Sequence, residues 1–207
     1  MTGFVDDCLA RLHLLHDAAG SAALLTPEVK ASNLNRHYLC GHSGGGFPLR
    51  LAVSSNLTTQ RPTDVCLFDC TYWDTDPHRD WIEKARKEGR LGNTGAKSRF
   101  IAVAIKNKVV QEDVLDPQSG KTTKVWKISQ ETNRTYDNLS RLTAQLKAKQ
   151  VPFTELTYAS SGAANKDKVK AAMRSASVLF IWVSTEFVVK HGKIPDHFLP
   201  MVIETAP

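Results

Sequence analysis

No apolar run in this 207-residue chain approaches the roughly 18 residues that cross a bilayer; the longest, such as Val178 to Val183, have the length of a strand. A membrane-spanning helix is therefore excluded. The cysteines are four, Cys8, Cys40, Cys66 and Cys70, and they lack the C-x-x-C spacing of metal ligands, so buried free thiols are the expectation. The start, Met1 to Asp7, has no basic region followed by an apolar one. That absence of a signal peptide favours the cytoplasm unless the chain is a processed or truncated product. It also leaves the sequons at Asn56, Asn133 and Asn138 with little weight. Internal repeats and low-complexity segments are absent too.

What is present is an ordinary globular composition. An apolar fraction of 42%, 12 glycines and 23% charged residues exclude disorder, collagen and coiled coil. The length suits a single domain, residues 1–207, with one core large enough to need no metal clip or disulfide framework. A charge of +6, from 27 Lys and Arg against 21 Asp and Glu, favours anionic surfaces or substrates without identifying one. Lys166, Lys168 and Lys170 alternate with Asp167, and Arg86, Lys87 and Arg90 surround Glu88. These are solvated faces rather than a nucleic-acid patch, because no binding signature accompanies them.

Along the chain, residues 3–18 read as an amphipathic helix. His37 to Cys40 read as a strand that runs into a glycine-rich turn and then a helix. Val65 to Phe68, Phe100 to Ile105 and Val178 to Val183 are apolar throughout, as strands covered on both faces are. Helices are expected from about residue 77, from Tyr136 to about Gln150, from Lys166 to Met173 and from Phe198 to Thr205, with a further strand over Val151 to Tyr158. Val109-Val110 and Val125 to Ile128 flank the turn Asp116-Pro117-Gln118-Ser119-Gly120, which predicts an inserted hairpin at about 108–129. The alternation predicts α/β with a mostly parallel sheet and helices on both faces.

The informative motif is Gly41-His42-Ser43-Gly44-Gly45, a G-x-S-x-G sequence between a predicted strand and a predicted helix. Such a turn projects a serine hydroxyl into a cleft, and the helix that follows offers backbone N–H groups and a positive dipole end to a developing oxyanion. The P-loop lysine and the dinucleotide G-x-G-x-x-G are both missing, which disfavours a phosphate cradle.

On these residues the chain resembles the α/β-hydrolase family over about residues 37–200. The resemblance rests on the elbow, on the order of elements after it, on Phe68-Asp69-Cys70-Thr71-Tyr72 and on the late His191-Gly192-Lys193-Ile194-Pro195. It implies a serine hydrolase that cleaves an ester, amide or peptide bond of a small-molecule or peptide acyl substrate, with no metal and no organic cofactor. Ser43 would be the nucleophile, the Gly44 N–H one oxyanion donor, His191 the base and Asp69 the acid that orients it. His197 is the other histidine near the C-terminus, and Asp74 and Asp113 are the other acids. Asp74 and Asp76 read better as caps of the following helix. His42 and His78 read as structural, Tyr72 and Trp73 as packing or the wall of an acyl pocket, and the hairpin with Trp126 as a lid or an exposed decoration.

Family members carry several strands before the elbow, one of them followed by the loop that gives the second oxyanion donor. Here only a helix and a linker fit ahead of His37. The resemblance thus implies strands from a precursor segment, a companion polypeptide or a homodimer, or else a catalytically inactive hydrolase-like binding or assembly module.

Overall fold

Three segments that are apolar in sequence become strands buried along their whole length: β2 (Thr63–Phe68), β3 (Arg99–Ile105) and β8 (Val178–Val183). The computed structural model describes residues 37–54, 63–92, 98–156, 169–183, 192 and 194–204. The predicted helix over residues 3–18, together with Cys8 and Asn56, lies outside them. The architecture is α/β: a mixed six-stranded sheet, four helices and a two-stranded ribbon among the described residues. In the sheet β1 (His37–His42) lies at one edge, then β2, β3, β8, β7 (Val169–Ser175) and β6 (Thr154–Glu155). The first four strands run parallel; β7 and β6 pair antiparallel.

The antiparallel part corrects the reading of Lys166 to Met173 as a helix from Val169 on; Lys166 to Lys168 lie outside the described residues. Ala, Met and Lys favour a helix locally, but β7 turns into β8 through Ala176, whose φ is 53°, and zips onto it from Ser175 back to Val169. Ladder bonds to a buried strand outweigh the few tenths of a kcal/mol per residue that propensity contributes. The predicted strand over Val151 to Tyr158 is reduced to the two-residue β6 among the described residues.

Strand alternation sorts the core into two layers. Val65, Leu67, Phe100, Ala102, Ala104 and Phe180 face α1 (Gly46–Val53), α2 (Asp76–Lys87) and α3 (Arg134–Ala148). Cys66, Phe68, Ile101, Val103, Ile105 and Ile181 face α4 (Ile194–Glu204) through Ile194, Phe198 and Val202. Helices thus cover both faces, as expected. The cap expected at α2 is also there: the Asp76 N–H donates to Asp74 Oδ1 at 3.0 Å. Arg86 reaches the Ser175 hydroxyl, and Arg90 pairs with Glu88 and lies over the Trp81 ring, so part of the basic excess does structural work.

The hairpin forms slightly longer than expected, as β4 (Asn107–Leu115) and β5 (Thr122–Thr132). Its turn places Gly120 at φ 65° and gives the Asp116 carboxylate the Gln118 N–H and the Ser119 hydroxyl. Trp126 and Ile128 are half exposed on it.

Asp64 and Arg99 lie on the α4 side at the amino ends of β2 and β3. Arg99 donates Nε–H and Nη2–H to Asp64 Oδ2 at 2.9 and 2.6 Å and also donates to the Val202 carbonyl. The pair therefore fastens the end of α4 to the sheet, with Asp64 fully buried. Truncating one partner strands a buried charge, whereas replacing both with apolar groups does not. Asp64→Ala should lower stability by about 3–5 kcal/mol, and Asp64→Leu with Arg99→Met should recover most of that, as read by urea denaturation.

His78 of α2 packs edge-on to Phe100, and neither ring nitrogen has a hydrogen-bond partner among the described residues. Burial, helped by the nearby Arg50 cation and opposed by Asp74, lowers its pKa from 6.5 to about 4. Between those values the unfolded chain binds a proton that the folded chain refuses. Stability is therefore complete above about pH 6.5 and falls as pH drops toward 4, with a slope of at most about 1.4 kcal/mol per pH unit. His78→Phe should remove that component from the pH dependence of the urea midpoint.

Candidate active site

β1 and β2 end in register, His42 opposite Phe68, so the next residues, Ser43 and Asp69, emerge side by side at the carboxyl edge of the sheet. Both adopt left-handed backbone, with φ of 50° and 47°. That conformation costs a residue with a Cβ roughly 1–2 kcal/mol and persists where the surroundings hold it. Ser43 to Gly45 form one 3₁₀ turn before α1 begins at Gly46, a refinement of the helix expected directly after the serine. The N–H groups of this first turn, that of Gly44 included, have no helical carbonyl to receive them.

Two glycines enforce the turn. A Cβ on Gly41 would sit 2.9 Å from Leu49 Cδ2 and 3.1 Å from the Gly45 carbonyl oxygen, so this position of the motif has a packing reason. A Cβ on Gly46 would sit 2.0 Å from the Cys70 carbonyl oxygen, whereas one on Gly44 or Gly45 would meet nothing within 4 Å. The crowded glycine is thus one residue beyond the signature. Cys70 also donates its thiol to the Gly41 carbonyl at 3.1 Å, and burial pushes that thiol up to about 12, so it stays protonated and packs. Of the other thiols, Cys66 is buried as expected. Cys40 is exposed on edge strand β1 and corrects the expectation that all are buried.

Asp69 is completely buried. Its Oδ1 accepts the Ile105 N–H at 3.1 Å and the Thr135 hydroxyl, and its own N–H donates to the Val103 carbonyl at 2.7 Å. The following loop is clamped to α3. The Thr71 hydroxyl donates to the Thr135 carbonyl at 2.9 Å, and Asn138 Nδ2 donates to the carbonyls of Thr71 and Trp73 at 2.6 and 3.1 Å. That use of the buried Asn138 amide removes it as a glycan acceptor in the folded chain.

Tyr72 lies between those two carbonyls in the clamped loop. Burial pushes its phenol up to about 12, with the Asp69 and Cys70 charges adding to the rise. Trp73 meets the Tyr72 ring edge-on and lies 5.4 Å, centroid to centroid, from Phe47 of α1, which is partly exposed. Of the two aromatics expected to pack or to line a pocket, Tyr72 is half-buried and Trp73 packs against both it and Phe47.

The structure thus brings Ser43, Asp69 and Gly44 to one edge. His191 lies outside the described residues; His197 falls within α4. Asp74 is exposed and occupied as the cap of α2. Asp113 stands opposite Lys124 on the hairpin, about 20 Å along the strand from Asn107. His42 is half-buried beside the serine, and His78 belongs to the core. Sequence reading passed over Thr135 and Asn138; their signal was two polar residues in line with the Leu139 and Leu142 stripe of an amphipathic helix. Among the described residues, no group of three or more His, Cys, Asp or Glu is placed to hold a metal ion, and no helix is long and apolar enough to cross a membrane. Comparison with protein-family models, with curated proteins and with solved structures finds no match to this chain.

The contrast between the two neighbouring glycines is testable. Gly45→Ala, on helical backbone with open space around it, should leave the melting temperature unchanged or raise it slightly. Gly46→Ala should cost about 3 kcal/mol or more, because the obstacle is backbone and cannot rotate away.

Proposed function

We propose that the chain is a serine hydrolase that cleaves an ester, amide or peptide bond through an acyl-enzyme on Ser43. The observation that carries the reading is the left-handed Ser43 at the end of a parallel strand, beside a fully buried carboxylate and ahead of a helix. Strand, strained serine and helix form the arrangement that exposes a hydroxyl to an incoming carbonyl. Ligands in open α/β sheets also bind at the carboxyl ends of the strands.

In this reading the Ser43 hydroxyl attacks the carbonyl carbon while His191 takes its proton. The carbonyl oxygen becomes an oxyanion facing the Gly44 N–H, and collapse expels the leaving group with a proton returned from the histidine. Water repeats the sequence and frees Ser43. Asp69 is assigned to hold the imidazole. Its Oδ1 is already fixed by Ile105 and Thr135, which gives the carboxylate a set orientation. His191 precedes Ile194, the first residue of α4, by three positions in the sequence. The Val202 end of that helix is fastened at the amino end of β3, so its first turn points back toward the carboxyl edge.

A second reading, a hydrolase-like binding or assembly module without turnover, is favoured by the position of β1. Among the described residues it pairs only with β2. Its other edge would take strands from a companion polypeptide or a second copy, and a second oxyanion donor could come with them.

A fluorophosphonate serine probe decides between the two. The wild-type chain should be labelled on Ser43 and should turn over p-nitrophenyl esters. Ser43→Ala should lose labelling and roughly 10⁴-fold or more of the turnover with an unchanged melting temperature. A folded wild-type chain that resists labelling, or equal turnover by Ser43→Ala, removes the hydrolase reading.

A further inference from the structure

We infer that Cys40 and Cys66 form a peroxide-sensitive pair, an oxidation site at which Cys40 takes the first oxidation and Cys66 closes a disulfide onto it; this goes beyond the hydrolase reading and holds whatever Ser43 does. The two cysteines are register partners on the parallel strands β1 and β2. Register partners in a parallel pair point to the same face of the sheet, and neighbouring strands lie about 4.8 Å apart. A disulfide takes Cα separations of about 4.4–6.8 Å, so the sulfurs can join with only a small inward shift of the edge strand.

The sheet divides the pair into an outer and an inner thiol. Cys40 is exposed on edge strand β1, whereas Cys66 is completely buried in the layer that faces α4. Of the two, an oxidant therefore reaches Cys40 first. Cys70 does not compete, because it is buried in the opposite layer and donates its thiol to the Gly41 carbonyl. The thiolate is the reactive form of a cysteine, and the charges follow the same division. Donation from the Cys66 thiol lowers Cys40 from the ordinary thiol range, against burial and Asp64, while Cys66 is raised.

The chemistry balances with hydrogen peroxide as the oxidant. The Cys40 thiolate attacks one peroxide oxygen; a sulfur–oxygen bond forms, the oxygen–oxygen bond breaks, and the departing hydroxide takes a proton to become water. Cys40 is then a neutral sulfenic acid, and the charge that helped to keep Cys66 protonated is gone. The Cys66 sulfur attacks the sulfenic sulfur, the sulfur–sulfur bond forms, and the hydroxide leaves with the Cys66 proton as a second water. Two thiols have lost two electrons and the peroxide has gained them. A dithiol reductant reverses the change by exchange at the exposed Cys40 sulfur. Cys40 precedes Ser43 by three positions and Cys66 precedes Asp69 by three, so the bond closes across the two strands that deliver the candidate site.

The test treats the reduced full chain with hydrogen peroxide, alkylates it with N-ethylmaleimide in denaturant, and reads the intact mass with and without prior reduction by dithiothreitol. The wild-type chain should lose two of its four alkylatable thiols together with two hydrogen masses, and should regain both thiols on reduction. Cys66→Ser should form no disulfide and should hold Cys40 as a sulfenic acid that dimedone captures; Cys66→Ala provides the same readout if the Ser variant does not fold. Cys40→Ser should keep its three remaining thiols alkylatable at the peroxide dose that converts the wild type. A disulfide that persists without Cys66, one that joins Cys8 or a second chain, or a wild-type chain whose thiols all stay alkylatable overturns the inference.

Discussion

One backbone contact sets the geometry of the candidate site: Gly46, the first residue of α1, against the carbonyl of Cys70, the second residue after β2. No side chain fits between them. The turn after β1 and the loop after β2 are therefore held at a fixed separation, and Ser43 and Asp69 are forced into the left-handed region on either side of the contact. Strain of this kind needs external restraint, and the Cys70 thiol on the Gly41 carbonyl supplies some of it from the opposite direction. The turn after β1 and the loop after β2 are thus packed directly against each other.

α3 is the second constraint. Its first five residues deliver the Thr135 hydroxyl to Asp69, the Thr135 carbonyl to Thr71, and the Asn138 amide to the carbonyls flanking Tyr72. A buried carboxylate is costly unless its oxygens are hydrogen-bonded, and here the helix and the β3 backbone both contribute. The hairpin between β3 and α3 does not disturb this, because its root is pinned: the Asn133 N–H donates to the Lys106 carbonyl, and Asn107 Nδ2 donates to the Ser129 carbonyl. The insertion can project its apolar residues outward while α3 begins where the loop needs it.

Much of the sheet was legible because Val65 to Phe68, Phe100 to Ile105 and Val178 to Val183 are apolar at every position, a pattern that strands buried on two faces require and half-buried strands do not show. The elbow was legible from Gly41 and Ser43. β7 was not, since Val169-Lys170-Ala171-Ala172-Met173 has helical propensity and its strand state depends on β8, a partner that local pattern does not reveal. The importance of Gly46 over Gly45 was equally hidden, because it is imposed by a carbonyl 24 positions away in the chain.

The place of β1 bears on how this unit is stabilised. On one face Gly41 and Leu39 are covered by α1 and the neighbouring core, while on the other Tyr38 and Cys40 are exposed. Edge strands that expose unpaired backbone invite a partner, yet among the described residues the elements packed around Ser43 lie on its inner side: β2, the Cys70 loop and α1. A strand added at the outer edge would therefore meet an elbow whose shape is already set. It would raise the stability of β1 and cover Tyr38 and Cys40, and the Ser43 backbone would stay as it is. Among the described residues, the outer edge of β1 and the backbone at Ser43 are thus separable features of the fold.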